Sequence, residues 1–324
     1  MPRLLFGLAV SLVAIDGIWA GIAHFHVDTI AYGNLALLSL GLFIAGLVYE
    51  KYRPDPALVA MLMGASFLTA FSAAASVLNY FLLTVAGPRI DDLLVAADRM
   101  LGFDWYRMML AMADHPLLNA VFFQVYNFVL PEIALLVVTL AWTGQSEKVY
   151  RFCLAVAAGA LIAIAIWTIV PSLGAKSLYT LPASVEHRLV LSVTTQYGRE
   201  LVALLHDGPG FITPKDLRGL IAFPSYHVVL ALIVVWYGLS IPWLRWPLLA
   251  INLAVLVCTP EQGGHHLIDV IGAIPVAALA LAIAQSRKLT IAVNQSQTER
   301  LDTLPDGGFR SAPAQKRSLG PVSD

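Results

Sequence analysis

Three ionisable side chains in the C-terminal half are spaced for chemistry: His227, His265 and Asp269. His265 and Asp269 are four residues apart, which on a helix stacks them on one face within reach of each other. A carboxylate so placed holds an imidazole in one tautomer and raises its nucleophilicity. His227 closes the run Phe223-Pro224-Ser225-Tyr226-His227, and His265 lies within Gly263-Gly264-His265-His266-Leu267-Ile268-Asp269. Each run opens a strongly apolar stretch, so each marks a helix start. The two glycines allow a substrate to approach the backbone, and unpaired N–H groups at a helix start suit an anion such as phosphate. Pro224 gives the other helix start a similar character. A structural reading competes: an interfacial histidine is often a plain hydrogen bonder, and an HxxxD pair can merely cap a helix and set its depth. Against it, Asp269 falls about one turn into an apolar helix, where an ionisable group is costly and needs a partner. His265 is that partner.

The elements that must position these residues follow from composition. Of 324 residues, 58% are apolar and 13% charged, against the roughly 25% charge of a soluble domain. Mean hydropathy is +0.75. The apolar residues come in continuous blocks at 4–22, 29–49, 57–83, 116–142, 152–171, 221–240, 243–258 and 265–285. Continuous rather than alternating runs of this length read as membrane helices. The fold expected is an all-α polytopic membrane bundle of about eight transmembrane helices. The N-terminal run is long and lacks a small-x-small cleavage site, so it reads as the first helix rather than a signal peptide.

Orientation follows from Lys and Arg in the short connections. Arg3, Lys51, Arg53, Lys148, Arg151, Arg245, Arg287 and Lys288 fall on one side, and the turns 23–28 and 259–264 carry neither residue type. Both termini are therefore expected in the cytoplasm and the two histidine-bearing helix starts at the outer face, in a bacterial inner membrane. A net charge of −1 offers no footprint for nucleic acid. The two cysteines, Cys153 and Cys258, lie in apolar segments, which leaves neither a disulfide framework nor a zinc cluster. No internal repeat is visible.

Three stretches do not span. Residues 87–115 read either as an amphipathic helix on the outer interface or as a plain connector. Residues 172–220 show a helical pattern near 184–206 and a Gly/Pro break at HDGPG. Residues 289–324 have the composition of a disordered cytoplasmic tail. The organisation expected is N-terminal membrane helices over 1–150, a catalytic membrane core over 151–288, and the tail. Asp16, Gln124, Asn127 and Asn252 lie within the spans, where Asn and Gln read mainly as interhelical hydrogen bonders. Glu132 either does the same or faces a water-filled cavity. Small residues over 64–76 permit close helix packing.

FPSYH resembles the second signature, PSxH, of the type 2 phosphatidic acid phosphatase superfamily, and GGHHLID resembles the end of its third, HxxxD. The likeness is strong over 218–285 and extends back to about 160, where Pro171-Ser172-Leu173-Gly174-Ala175-Lys176 ends a helix. The superfamily's arginine six residues before the histidine is replaced here by Thr259, and its first signature is absent as written. Both departures resemble the branch of inositol phosphorylceramide and sphingomyelin synthases. The resemblance implies a six-helix catalytic core and a reaction without metal or cofactor. His265 is then the nucleophile that becomes a phosphohistidine, Asp269 its activator, and His227 the acid and then the base. The substrate implied is a phospholipid or lipid phosphate, with water or a lipid alcohol as acceptor.

Some other group must then supply the cation lost at Thr259, because phosphoryl transfer depends on charge stabilisation. Lys176 and Arg218 are the candidates, each with the alternative of snorkelling at the interface. Ser225 and the N–H groups of Gly263 and Gly264 complete the expected phosphate-binding set. Glu261 would repel phosphate if it pointed inward. Two rivals from other classes remain: an ion-coupled carrier using Asp16, Glu132 and Asp269, and a His2Asp metal-dependent phosphoesterase.

Overall fold

Twelve α-helices follow one another along the described residues of a computed structural model, which are 1–208, 210–215 and 219–286. α1 (Pro2–Ala23), α2 (Thr29–Tyr52) and α3 (Pro56–Phe81) form an antiparallel start. Asp55 accepts from the N–H groups of Ala57 and Leu58, and Pro56 occupies the first helical position, so the entry to α3 is fixed locally. Two short helices follow, α4 (Asp91–Met100) and α5 (Trp105–Met112), separated by Gly102 at φ 75°. Then come α6 (Pro116–Trp142), α7 (Ser146–Ile169), α8 (Ala183–Glu186) and α9 (Thr195–Asp207). α10 (Tyr226–Gly238), α11 (Arg245–Gln262) and α12 (Leu267–Ala284) complete the bundle. The only strands among the described residues are β1 (His26–Val27) and β2 (Phe211–Ile212), paired in parallel. Met1–Gln285 forms one unit. The expected tail, 289–324, lies outside the described residues.

All eight expected spans are helices, but six are long and apolar enough to cross a membrane: α1, α2, α3 with the turn after it, α6, α7 and α12. α10 is the main departure. It has 13 residues and begins at Tyr226, because the chain from Leu220 to Ser225 is irregular, bending at Phe223 and Pro224, and only then turns helical. At about 1.5 Å per residue, 13 residues fall short of a 30 Å hydrocarbon core.

α7 is the axis of the bundle. It packs against α3, α6, α10 and α12, and its Phe152, Ala155, Ala157, Ala163 and Trp167 are fully buried. α11 closes the ring between α6 and α10, while α1 and α2 rest mainly on α3. The outer surfaces of α1 and α2 remain apolar, with Val10, Ile18, Ile22, Leu37 and Leu38 all exposed. Such surface is stable only in contact with lipid or another apolar face.

One end of the bundle carries most of the non-spanning chain. There β1 pairs with β2, Gly87 and Ile90 donate backbone bonds to Thr168 and Pro171, and α9 lies over the loop after α7. Two apolar clusters anchor this end. Leu173 enters one with Phe81, Trp167, Leu201 and Leu220, and Ala175 enters the other with Trp105, Met109, Leu181 and Leu189. The loop holding Lys176 is thus pinned from both sides. At the opposite end Ser146 Oγ donates to the Pro56 carbonyl and an Arg151 N–H to that of Ala284.

Candidate active site

The segment Gly263–His266 is not helical, since α12 begins only at Leu267. His265 and Asp269 therefore do not meet as one helix face, as their spacing suggests. They meet because Asp269, at the third helical position, reaches back across the helix start. Its Oδ2 lies 3.1 Å from His265 Nδ1 and accepts the His266 N–H at 2.9 Å. His265 is 4% exposed and Asp269 fully buried. Nε2 of His265 faces Ser225 Oγ at 3.4 Å. Ser225 is itself buried and held by its N–H, which donates to the Asp269 carbonyl at 3.1 Å, tying the start of α10 to α12.

Lys176 enters the same cluster. Its Nζ donates to the Gly263 carbonyl at 3.0 Å, its backbone N–H to that of Gly264 at 3.2 Å, and its ammonium lies 4.7 Å above the Tyr197 ring. Burial pulls the lysine down to about 7, with the Asp269 carboxylate opposing. Burial also holds His265 below the usual imidazole range, although Asp269 pulls the other way. A neutral His265 with Nδ1 on Asp269 presents its Nε2 lone pair. Burial first, and then the fields of His265 and Lys176, work against the protonated form of His227, whose ring stacks on Tyr126 at 4.4 Å with 16° between planes.

The glycines serve packing. Gly264 has φ 64°, and a Cβ there would stand 2.6 Å from the Lys176 stem; one on Gly263 would stand 2.4 Å from the His265 ring. Gly174, at φ 80°, would put a Cβ 2.5 Å from the Gly264 carbonyl oxygen, so the two loops cross glycine on glycine. Of the two N–H groups expected at phosphate, that of Gly263 is engaged inside the protein. Gly263 donates to Thr259, and the N–H groups of Leu267 and Ile268 donate to Asp98 at 3.2 and 3.0 Å. The positive end of α12 is already occupied by a protein carboxylate.

Asp98 and its neighbour Asp91 are the site residues that sequence reading missed. Both are on α4 and buried. Asp98 also holds His266 Nδ1 at 3.0 Å. Burial works against the charged form of His266, but the bond to Asp98 and the nearby Asp269 and Asp91 carboxylates prevail, so its affinity for the proton is raised. Asp91 accepts from Ser172 Oγ, Leu173 N–H and Gly174 N–H at 2.8, 3.0 and 3.1 Å and pairs with Arg89 at 2.7 Å. One helix thus fastens both the Lys176 loop and the His265–Asp269 turn. The signal was the seven-residue spacing of Asp91 and Asp98, two turns apart and so on one face of α4.

Thr259 caps back onto the Val255 carbonyl inside α11. Glu261 is buried but turned away from the cluster, accepting from Asn119 Nδ2 at 2.6 Å beside the strap 189–193, which Gln262 also holds. Glu132 is fully buried and accepts from Asn252 at 2.9 Å across α6 and α11. Arg218 lies outside the described residues. Among the described residues no group of three His, Cys, Asp or Glu is placed to hold a metal ion.

A family model described as the PAP2 superfamily matches residues 92–283, more than half of the chain. The chain belongs to the PAP2 superfamily. The match begins within α4, one residue after Asp91, and includes Asp98. No curated protein and no solved structure matches the chain. Membership of the PAP2 superfamily agrees with a helical membrane fold and with lipid phosphatase or phosphotransferase chemistry.

Proposed function

We propose that this PAP2 superfamily member transfers a phosphoryl or phospho-head group from a membrane lipid through a covalent His265 intermediate. The observation that carries the proposal is His265 itself: buried, with Nδ1 on Asp269 and Lys176 beside it. In the first step the Nε2 lone pair attacks phosphorus and the bond to the leaving alkoxide breaks, His227 giving that oxygen its proton. In the second, His227 takes a proton from the acceptor hydroxyl as it attacks the phosphohistidine and frees His265. Lys176, in its cationic form, offsets charge on the phosphoryl oxygens, the part left open by Thr259. Ser225 Oγ, close to Nε2, is a further donor toward those oxygens.

The branch resembling the inositol phosphorylceramide and sphingomyelin synthases is favoured by Thr259. The outer face is favoured by charge: Lys51, Arg53, Lys148, Arg151 and Arg245 belong to the end of the bundle away from the site. Product analysis tests the reaction. The purified chain is given phospholipid vesicles with and without an added lipid alcohol. Transfer to the alcohol supports the synthase-like branch, while release of inorganic phosphate alone removes it and leaves a phosphatase. Turnover that survives His265→Ala contradicts the proposal.

A further inference from the structure

Tyr126, on α6, is the residue of the cluster that nothing in the sequence motifs points to. It is buried, and its ring lies nearly parallel to that of His227. Its hydroxyl lies close to the nucleophile. A single point, where a Gly263 Cβ would stand, is 2.7 Å from that hydroxyl and 3.0 Å from His265 Nε2. The phenol oxygen and the nucleophilic nitrogen are therefore close neighbours across a point too crowded for a carbon atom, which the glycine leaves bare. A phosphorus atom bonded to Nε2 carries its oxygens about 1.5 Å further out, within ordinary hydrogen-bond range of a donor so placed.

We infer that Tyr126 is a catalytic hydrogen-bond donor that holds a non-bridging phosphoryl oxygen during attack by His265, while its ring fixes the plane of His227. The inference rests on the function proposed above and adds a residue to it. The proton stays on the phenol. The bonds that form and break are P–Nε2 and P–O of the leaving group, and Tyr126 contributes only the hydrogen bond. Burial suits the role, because a donor already oriented in a water-poor site needs no reorganisation when charge develops on the oxygen. A neutral donor also limits the cationic charge crowded around Lys176 and His227.

Orthovanadate is the probe, as an analogue of the five-coordinate phosphoryl group, bound to the full chain in detergent micelles and followed by vanadium NMR. Tyr126→Phe keeps the ring and removes the donor; Tyr126→Leu removes both. A donor role predicts that Phe weakens vanadate binding by at least about tenfold, of the order seen for removal of one oxyanion donor. A purely structural role predicts that Phe binds as wild type and only Leu fails. Site-specific 3-fluorotyrosine at 126, isosteric and more acidic, is expected to bind vanadate more tightly than wild type. Phe binding within twofold of wild type while His265→Ala binds none would overturn the role of Tyr126 and leave the proposed function standing. His265→Ala binding as wild type, or no binding by wild type, would overturn the proposed function and the role of Tyr126 with it.

Discussion

Burial holds both His265 and Lys176 toward their neutral forms, with opposite consequences for turnover. In the proposed reaction His265 is neutral when it attacks, and its proton affinity lies below the usual imidazole range, so the acid limb of activity is expected at lower pH than for an exposed histidine. In the proposed reaction Lys176 is cationic when it holds phosphate, and with its proton lost near pH 7, activity is expected to fall as pH rises through neutrality. Lys176→Arg, charged throughout this range, should move that fall to higher pH, as a kcat/KM profile of the two proteins would show. An unchanged alkaline limb would assign it to loss of the His227 proton rather than to Lys176. His265→Ala and Asp269→Asn are expected to lose turnover by about 10³-fold or more while still inserting and purifying as folded protein. The His and Asp were legible because type and spacing carry the chemistry. Lys176 was visible only as one of two cations near the right end, because nothing local shows that a loop from α7 crosses Gly264. Tyr126 gave no signal, since an aromatic residue in an apolar helix looks like core.

α4 decides whether the site is assembled. Removing Asp91 leaves the Leu173 and Gly174 N–H groups and the Ser172 hydroxyl without their buried acceptor. Asp91→Ala is expected to cost about 2–4 kcal/mol and to lower turnover through the displaced Lys176 loop, measurable as a melting shift in detergent alongside kcat. Asp98→Ala should act likewise on the His265–His266 turn. Gly264→Ala meets both a positive φ and the Lys176 stem. It is expected to destabilise by about 1–3 kcal/mol and to abolish turnover, whereas alanine at the exposed Gly102 would bring only the backbone cost. The spans were legible at this scale from continuous apolar runs. The 87–115 segment was not, because its aspartates interrupt an apolar pattern and read as solvent-facing. In the fold Asp91 and Asp98 point inward, where partners from two other loops make burial of charge affordable. α10 was read too long because the stretch before Tyr226 is as apolar as the helix it precedes.

For the whole molecule, the short connections at the end away from the candidate site carry Lys51, Arg53, Lys148, Arg151 and Arg245, on which the proposed orientation rests. Met100, 89% exposed beside the site, and Tyr52, 73% exposed at the other end, report on the side of each. Met100→Cys is expected to react with a membrane-impermeant maleimide in intact cells, and Tyr52→Cys only after permeabilisation; the reverse pattern would place the site in the cytoplasm. Both native cysteines are buried, so the background is low. The central claim is that His265 carries the phosphoryl group between the two half-reactions. It is tested most directly by growing cells in radiolabelled phosphate, quenching, and isolating the denatured chain. Acid-labile, alkali-stable label on the wild type that disappears in His265→Ala is the result predicted, and equal labelling of the two would contradict it.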